Sequence, residues 1–493
     1  MTHDAELHET VPMGVAPGLY NLDLAPTRQQ GRTWKGYNIF ALWANDVHSL
    51  GNYSFVIGLF VLGLGVWQVL VALALASLIL FILLSLSGLM GVKTGVPFPV
   101  MSRISFGIFG AHIPSLIRGI VAIVWFGIQT YLATMVLNVL LIALFPSIKV
   151  LTHNHLLGLS TLSWINFAVL WVIQVILACY GMEVIRKYES FVGPIILFTF
   201  LVLAGWVLYR SGGQLRWSPP NPLTGTRMWS HIFGAAALWV SIYATFLLNF
   251  CDFTRSAVSR QTIIKGNFWG IIVNVMFFGV IAMIMAGGQL SINGVLIHSP
   301  ADVVQMIPNI PLLVLASLSL LILTIAVNLM ANFVAPSYTL SNLLPSYLNF
   351  RRAALVTGII GFVILPWNLY DSPVIIDYFL GGLGALLGPL FGIVITDYWL
   401  IRKQRVDIPA LYVDSPGAPY HYRNGVNPKA VQALIPSAVI AILFALLPAL
   451  SSISQFSWFI GAALGAIIYY VIAPKDQTYV DRDGEAIAVA TRH

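Results

Sequence analysis

Hydrophobic residues along this chain come in repeated runs of about 20, each long enough to cross a hydrocarbon core. The pattern predicts about twelve spans, at roughly 38–62, 67–90, 115–145, 163–182, 191–211, 229–250, 266–290, 310–335, 354–370, 374–401, 431–449 and 455–474. The third is long enough to be tilted. The first is interrupted. Within FALWANDVHSLGNYSF, from Phe40 to Phe55, Asn45, Asp46, His48 and Ser49 fall within five residues, and Gly51 and Asn52 follow at once. A carboxylate at membrane depth is costly unless it is paired, hydrated or protonated. The polar stretch therefore predicts a broken helix that lines a cavity instead of facing lipid.

Composition agrees with the pattern. Of 493 residues, 58% are hydrophobic and 9% are charged, where a soluble globular chain carries about a quarter charged residues. The class is an all-α polytopic membrane protein. The first 36 residues are polar and contain Pro12, Pro17 and Pro26, and they read as a tail with no cleavable signal peptide. Placing the N-terminus inside puts twenty of the 25 Lys and Arg residues on the inner side, including the cluster Arg402, Lys403, Arg405, Arg423 and Lys429. This predicts both termini in the cytoplasm. The segment 210–227, with Arg210, Arg216 and Arg227 on the outer side, departs from the rule. The net charge of +7 follows from this bias and does not call for nucleic acid. Cys179 and Cys251 lie in or beside predicted helices, which argues against a structural disulfide. The largest extramembrane pieces are the N-terminal tail and the loop between spans ten and eleven. Neither holds a phosphate-cradling glycine loop, a zinc-ligand cluster or a nucleophile motif, so an enzyme is not expected and no cofactor is implied. The Gly- and Pro-rich stretch Gly91–Gly110 lacks nucleotide-loop spacing and reads as a structured hinge.

Polar residues inside the spans mark candidate chemistry. Trp125 and Gln129 are four apart and share a helix face. An indole plane one turn from an amide suits a flat, hydrogen-bonding heterocycle; a packing Trp beside an interhelical Gln bond is the alternative. Tyr243, near the end of span six, reads either as a second ring wall or as a core tyrosine. Asp252 and Arg255 read as helix-end charges. Asn328 and Asn332 share one face of span eight and require partners, whether a ligand or a neighbouring helix. His48 is either a proton carrier or a structural donor. Asp46 is either permanently ionised and paired, or a carboxyl that exchanges a proton between the two faces.

These residues sit in stretches that together resemble the nucleobase:cation symporter-1 family. The resemblance runs from about Arg32 to about Tyr470, through RTWKGYNIFALW, GVPFPVMSRISFGIFG, WFGIQT, ATFLLNFCDFTR, ANFVAPSYTLSNLLP, LPWNL and LLGPLFGIVITDYWLIRK. It implies transport of purines, pyrimidines, hydantoins or allantoin by alternating access. It implies a tail over 1–36, an inverted-repeat core over 37–402 with repeats at about 37–211 and 229–402, and a cytoplasmic loop over 403–430. Two extra helices over 431–474 and a tail over 475–493 complete the chain. Spans one and six would be broken at mid-membrane.

By the same resemblance, Trp125 and Gln129 match the stacking Trp and the amide-binding Gln. Asn332 matches the substrate-binding Asn, and Asn328 a neighbouring one. Ser49 falls where members usually have Gln or Asn, and Tyr243 where many have a second Trp. Sodium-coupled members use span-one carbonyls, here those of Asn45 and His48, and complete the site from span eight. The matching span-eight positions are Leu323, Ala326 and Val327, which lack the two hydroxyls, and a hard cation wants oxygen ligands. An acid at the Asp46 position is similar to the proton-coupled eukaryotic permeases of the family. The expectation is a secondary importer of a small planar cyclic amide in a bacterial plasma membrane. Asp46 would carry a proton, with Asn45 and His48 beside it. Sodium coupling or passive facilitation are the alternatives.

Overall fold

A computed structural model of the chain describes residues 12–298, 303–304, 306–370 and 381–489. The segments 1–11, 371–380 (including the predicted start of span ten) and 490–493 lie outside the described residues. Among the described residues nine helices are long and apolar enough to cross a membrane, and they correspond to spans two to five, seven, eight and ten to twelve. The predicted first, sixth and ninth spans are each built in pieces: Gly36–Val47 with Leu50–Val61, Gly225–Ile242 with Ala244–Asn249, and Phe350–Val363 with Pro366–Tyr370.

The break in span one is written locally. The first piece starts after Lys35, whose backbone N–H donates to the Asn38 side chain at 2.8 Å. It stops at His48 (φ −87°, ψ 17°). Ser49 then turns extended and caps the second piece, its hydroxyl accepting from the Asn52 N–H at 3.3 Å. Ending a helix in the membrane strands its last carbonyls. Asn52 answers that need: its amide donates to the carbonyls of Asp46 at 2.9 Å and Val47 at 3.3 Å. Span six breaks more gently, at Tyr243 (φ −86°, ψ 4°).

Around these breaks the long helices pack in a few strong pairs. The first piece of span one lies against span five, Met182–Arg210, which starts nine residues earlier than the hydrophobic run predicts. Span three, His112–Leu144, lies against span eight, Ile310–Leu343. Span eight carries a π-helical turn at Leu329–Phe333. Spans ten, eleven and twelve form a group of their own. Gly388 and Gly392 let span ten touch span twelve, since a Cβ at either would collide with the carbonyls of Trp458 and Ala462.

The described chain ends lie on one face, joined where the Arg28 N–H donates to the Val489 carbonyl at 3.0 Å and Thr27 pairs with Val489. Residues 12–35 pack onto this rim, with Leu24 and Ala25 fully buried. Arg255 holds them, donating to the carbonyls of Asp23 and Ala25 and to the Thr27 hydroxyl. The 403–430 loop buries Tyr412 and Tyr420 in the same rim. Arg402 pairs with Asp397 at 3.0 Å and stacks over Tyr479. The Gly91–Gly110 stretch forms two short helices, Phe98–Met101 and Arg103–Phe106, whose residues are all buried.

Candidate functional site

A cavity of about 570 Å³ opens beside the two broken spans, within the range of small-ligand sites, about 300–1,000 Å³. Asp46 and Ser49 line it from the break in span one, and Thr245 and Phe246 from just past the break in span six. Trp125 and Gln129 line it from span three and Asn332 from span eight. Trp458 on span twelve completes an aromatic rim.

The helical spacing of Trp125 and Gln129 explains their shared face: at 3.6 residues per turn, positions four apart stack along one side. Asn332 reaches the cavity from the π-helical turn, a distortion that often marks functional positions. Its amide is set by a bond from Nδ2 to Asn328 Oδ1 at 2.8 Å. A planar cyclic amide fits this wall. The indole offers a face, Gln129 both donates and accepts, and Asn332 adds a second amide.

Two of the expected site residues lie off the cavity lining in this geometry. Asn328 is fully buried and does not line the cavity. Its Nδ2 is spent on the Phe126 carbonyl (3.1 Å), the Thr130 hydroxyl (3.1 Å) and Gln174 Oε1 (2.6 Å), tying spans three, four and eight together. It supports Asn332 from behind. Tyr243 is 1% exposed and turned away from the cavity that its neighbours Ser241, Ile242 and Thr245 line. One helical step of about 100° separates it from the face of Ile242. It packs on Trp43 and Trp239, with ring centroids at 6.0 and 5.8 Å. Its hydroxyl accepts from Asn52 Nδ2 at 3.2 Å and lies beside the Asp46 carboxyl. Its ring lies between Trp43 and Trp239 and not on the cavity lining.

His48 and Asn45 lie on the far side of the break. His48 is fully buried in a box of Tyr53, Phe200, Phe277 and Phe278. Its Nε2 faces Asn274 Oδ1 at 3.1 Å and its Nδ1 faces the Tyr53 hydroxyl at 2.8 Å. Asn274 Nδ2 is engaged with the Trp43 carbonyl, so its oxygen accepts, Nε2 carries the hydrogen, and Nδ1 accepts from Tyr53. Both ring nitrogens of a neutral imidazole are satisfied, which is the structural role. Asn45 donates to the backbone carbonyl of Glu189 at 2.9 Å and to its carboxylate. Leu323 and Ala326 are fully buried and Val327 nearly so, and the nearby Thr324 hydroxyl donates within its own helix, to the Leu320 carbonyl at 2.8 Å.

Sequence reasoning passed over Asn52, Asn274 and Glu189. Asn52 was visible as the last member of the polar stretch. Glu189 was not, because the hydrophobic run that defined span five begins after it.

Comparisons with known proteins give the family. The family model described as permease for cytosine/purines, uracil, thiamine, allantoin matches residues 26–461. The chain is 35% identical to the allantoin permease of Bacillus subtilis over 92% of its own length and 93% of that protein. It is 34% identical to a purine-uracil permease of Arabidopsis thaliana, over 90% of this chain and 74% of that one. Its fold resembles that of Mhp1, a nucleobase-cation-symport-1 family transporter solved in a closed conformation with bromovinylhydantoin bound. The TM-score is 0.74 at 24% identity, covering 92% of this chain and 95% of Mhp1. With a family model spanning most of its length and relatives above 30% identity along nearly all of it, the chain belongs to the nucleobase:cation symporter-1 family of membrane transporters.

Proposed function

We propose that the protein is a secondary active importer of a small planar cyclic amide such as uracil, hydantoin, allantoin or a related nucleobase. It is coupled to a cation, here a proton, in a bacterial plasma membrane with both termini in the cytoplasm. The observation that carries the reading is the cavity in which Trp125, Gln129 and Asn332 converge on one space beside the break in span one. The names of the relatives, allantoin permease and purine-uracil permease, support the substrate class. Proton coupling is supported by two features: Leu323, Ala326 and Val327 on span eight offer no side-chain oxygen, the Thr324 hydroxyl between them donating to the Leu320 carbonyl, and a carboxyl, Asp46, faces the cavity. In this reading Asp46 is the cavity-side carrier, and Ser49, smaller than an amide side chain, leaves room in the site. The inverted-repeat core over 37–402 rocks around the breaks in spans one and six.

The test is a binding screen of purines, pyrimidines and cyclic ureas by thermal shift, followed by uptake into proteoliposomes. The expected outcome is accumulation above equilibrium under an inward proton gradient, lost in Asp46→Asn. Accumulation that follows sodium instead would favour sodium symport, and equilibration without accumulation would make the protein a facilitator.

A further inference from the structure

A second carboxyl lies at the break in span one, and no role described above uses it. Glu189 is 2% exposed. Its Oε2 accepts from Asn45 Nδ2, and the same nitrogen donates to the Glu189 backbone carbonyl. Two oxygens of this pair, Glu189 Oε1 and Asn45 Oδ1, are buried with no hydrogen-bond partner. Buried polar atoms are nearly always paired, so an orphan calls for an explanation. One hydrogen explains both. With a proton on Oε1 the carboxyl becomes a donor, and Asn45 Oδ1 is an idle acceptor on the side chain already bonded to it.

The surroundings supply no competing neutralisation. Among the described residues no Lys, Arg or His forms an ion pair with Glu189. Span one presents Asp46 and the satisfied His48. Span seven holds only Arg260 and Lys265, at its start, and span eight only Tyr338, at its far end. Span four holds only Cys179. On span five itself Tyr188 donates to the Ile322 carbonyl at 3.1 Å. Lower on that helix Glu183 is already paired with Arg186 and Lys187. The Tyr188 bond sets this turn of span five against the turn of span eight that begins at Leu323, where Leu323, Ala326 and Val327 bring no hydroxyl and that of Thr324 donates to the Leu320 carbonyl.

We propose that Glu189 is a second proton-binding group beside Asp46, on the side of the span-one break away from the cavity, and that Asn45 passes its occupancy to the broken helix. The proposal rests on the proton-coupled reading above and adds a second site to it. A proton taken from one side of the membrane bonds to Glu189 Oε1 and leaves from it to the other; no other bond is made or broken. Protonated Glu189 holds the Asn45 amide by both its nitrogen and its oxygen, and ionised Glu189 by the nitrogen alone. Asn45 precedes Asp46, which faces the cavity, so proton site and substrate site are one peptide unit apart.

The test uses the purified full chain with allantoin, uracil and hydantoin as probes. In the wild type, affinity rises as pH falls, by up to about tenfold per pH unit for one linked proton. In Glu189→Gln the part of that dependence carried by Glu189 is lost and only that of Asp46 remains, and accumulation under an inward proton gradient falls. Glu189→Asp keeps a carboxyl and retains a displaced pH dependence. A readout that needs no substrate is the infrared band of a protonated carboxyl during acid titration. A component of it present in the wild type and in Asp46→Asn is absent in Glu189→Gln. An unchanged band and an unchanged pH dependence in Glu189→Gln overturn the proposal, as does wild-type binding that follows sodium and ignores pH. If the wild type binds none of the probes yet Glu189→Gln removes the band, the proton site stands and the substrate reading falls.

Discussion

Two regions of this molecule bury charge, and they treat it in opposite ways. At the rim that carries the described chain ends, charged groups meet partners. Arg402 has Asp397, two tyrosine rings and the Ile104 carbonyl. Asp252 accepts from the Phe98 N–H and from Asn249, and Asn249 in turn accepts from Arg118. At the break in span one, Asp46 and Glu189 have only neutral donors: a tyrosine hydroxyl for one and an asparagine amide for the other. Charge with a fixed counter-charge is built to stay. Neutral donors alone are not the distinction, since Asp252 at the rim has them too, with Arg118 one step behind through Asn249. In the proton-coupled reading proposed above, a carboxyl with no such cation behind it is neutralised by a proton that arrives and departs.

The contrast can be broken from the rim first. Arg402→Ala strands Asp397, which is 1% exposed, and removing one partner of a buried pair costs about 3–5 kcal/mol. The expected result is a large fall in melting temperature. An unchanged melting temperature would mean that the rim pairs are not structural and that the contrast fails. A smaller effect, confined to the ligand, is expected at the cavity wall. Gln129→Ala leaves a substrate amide unpaired, worth about 1–3 kcal/mol, or about 5–150-fold in affinity, with the ligand-free melting temperature unchanged. Isothermal titration of the best-binding cyclic amide measures it, and unchanged affinity would remove Gln129 from the site. The smallest effect belongs to Tyr243→Phe. The ring stays buried and only the hydroxyl to Asp46 and Asn52 is lost, about 0.5–1.5 kcal/mol, so affinity moves by about tenfold at most. A larger loss would return Tyr243 to the cavity wall.

The sequence was most readable where one local rule suffices. Apolar runs located the nine helices long and apolar enough to cross a membrane and the shorter pieces of the other three predicted spans, with the start of span ten outside the described residues. The cluster from Asn45 to Asn52 marked the break in span one, because a cap and stranded carbonyls are satisfied within a few residues. Spacing placed Trp125 and Gln129 on one face, and both line the cavity. What failed needed information from elsewhere in the chain. Spacing cannot phase a helix across a break, so Tyr243 looked available when it faces Trp43 and Trp239. Asn328 and Asn332 share a face, but Gln174 on span four claims the first. Glu189 was hidden by the charges before it: Glu183, Arg186 and Lys187 lowered the local hydropathy, and the span was drawn to begin at residue 191 although the helix begins at Met182.

The π-helical turn in span eight has a consequence beyond presenting Asn332. A π turn holds one more residue than an α turn, so it acts as a phase shifter within the helix. Winding the same residues as an unbroken α-helix, with the wide turn lost and no residue removed, would rotate everything beyond it by about 100° against everything before it. Thr339, whose hydroxyl bonds the Ser115 carbonyl, and Asn342, which receives Arg103, would both lose their partners. The wide turn thus sets the register between the middle of the membrane and its edge, and the same sequence wound without it would mate correctly at one end only.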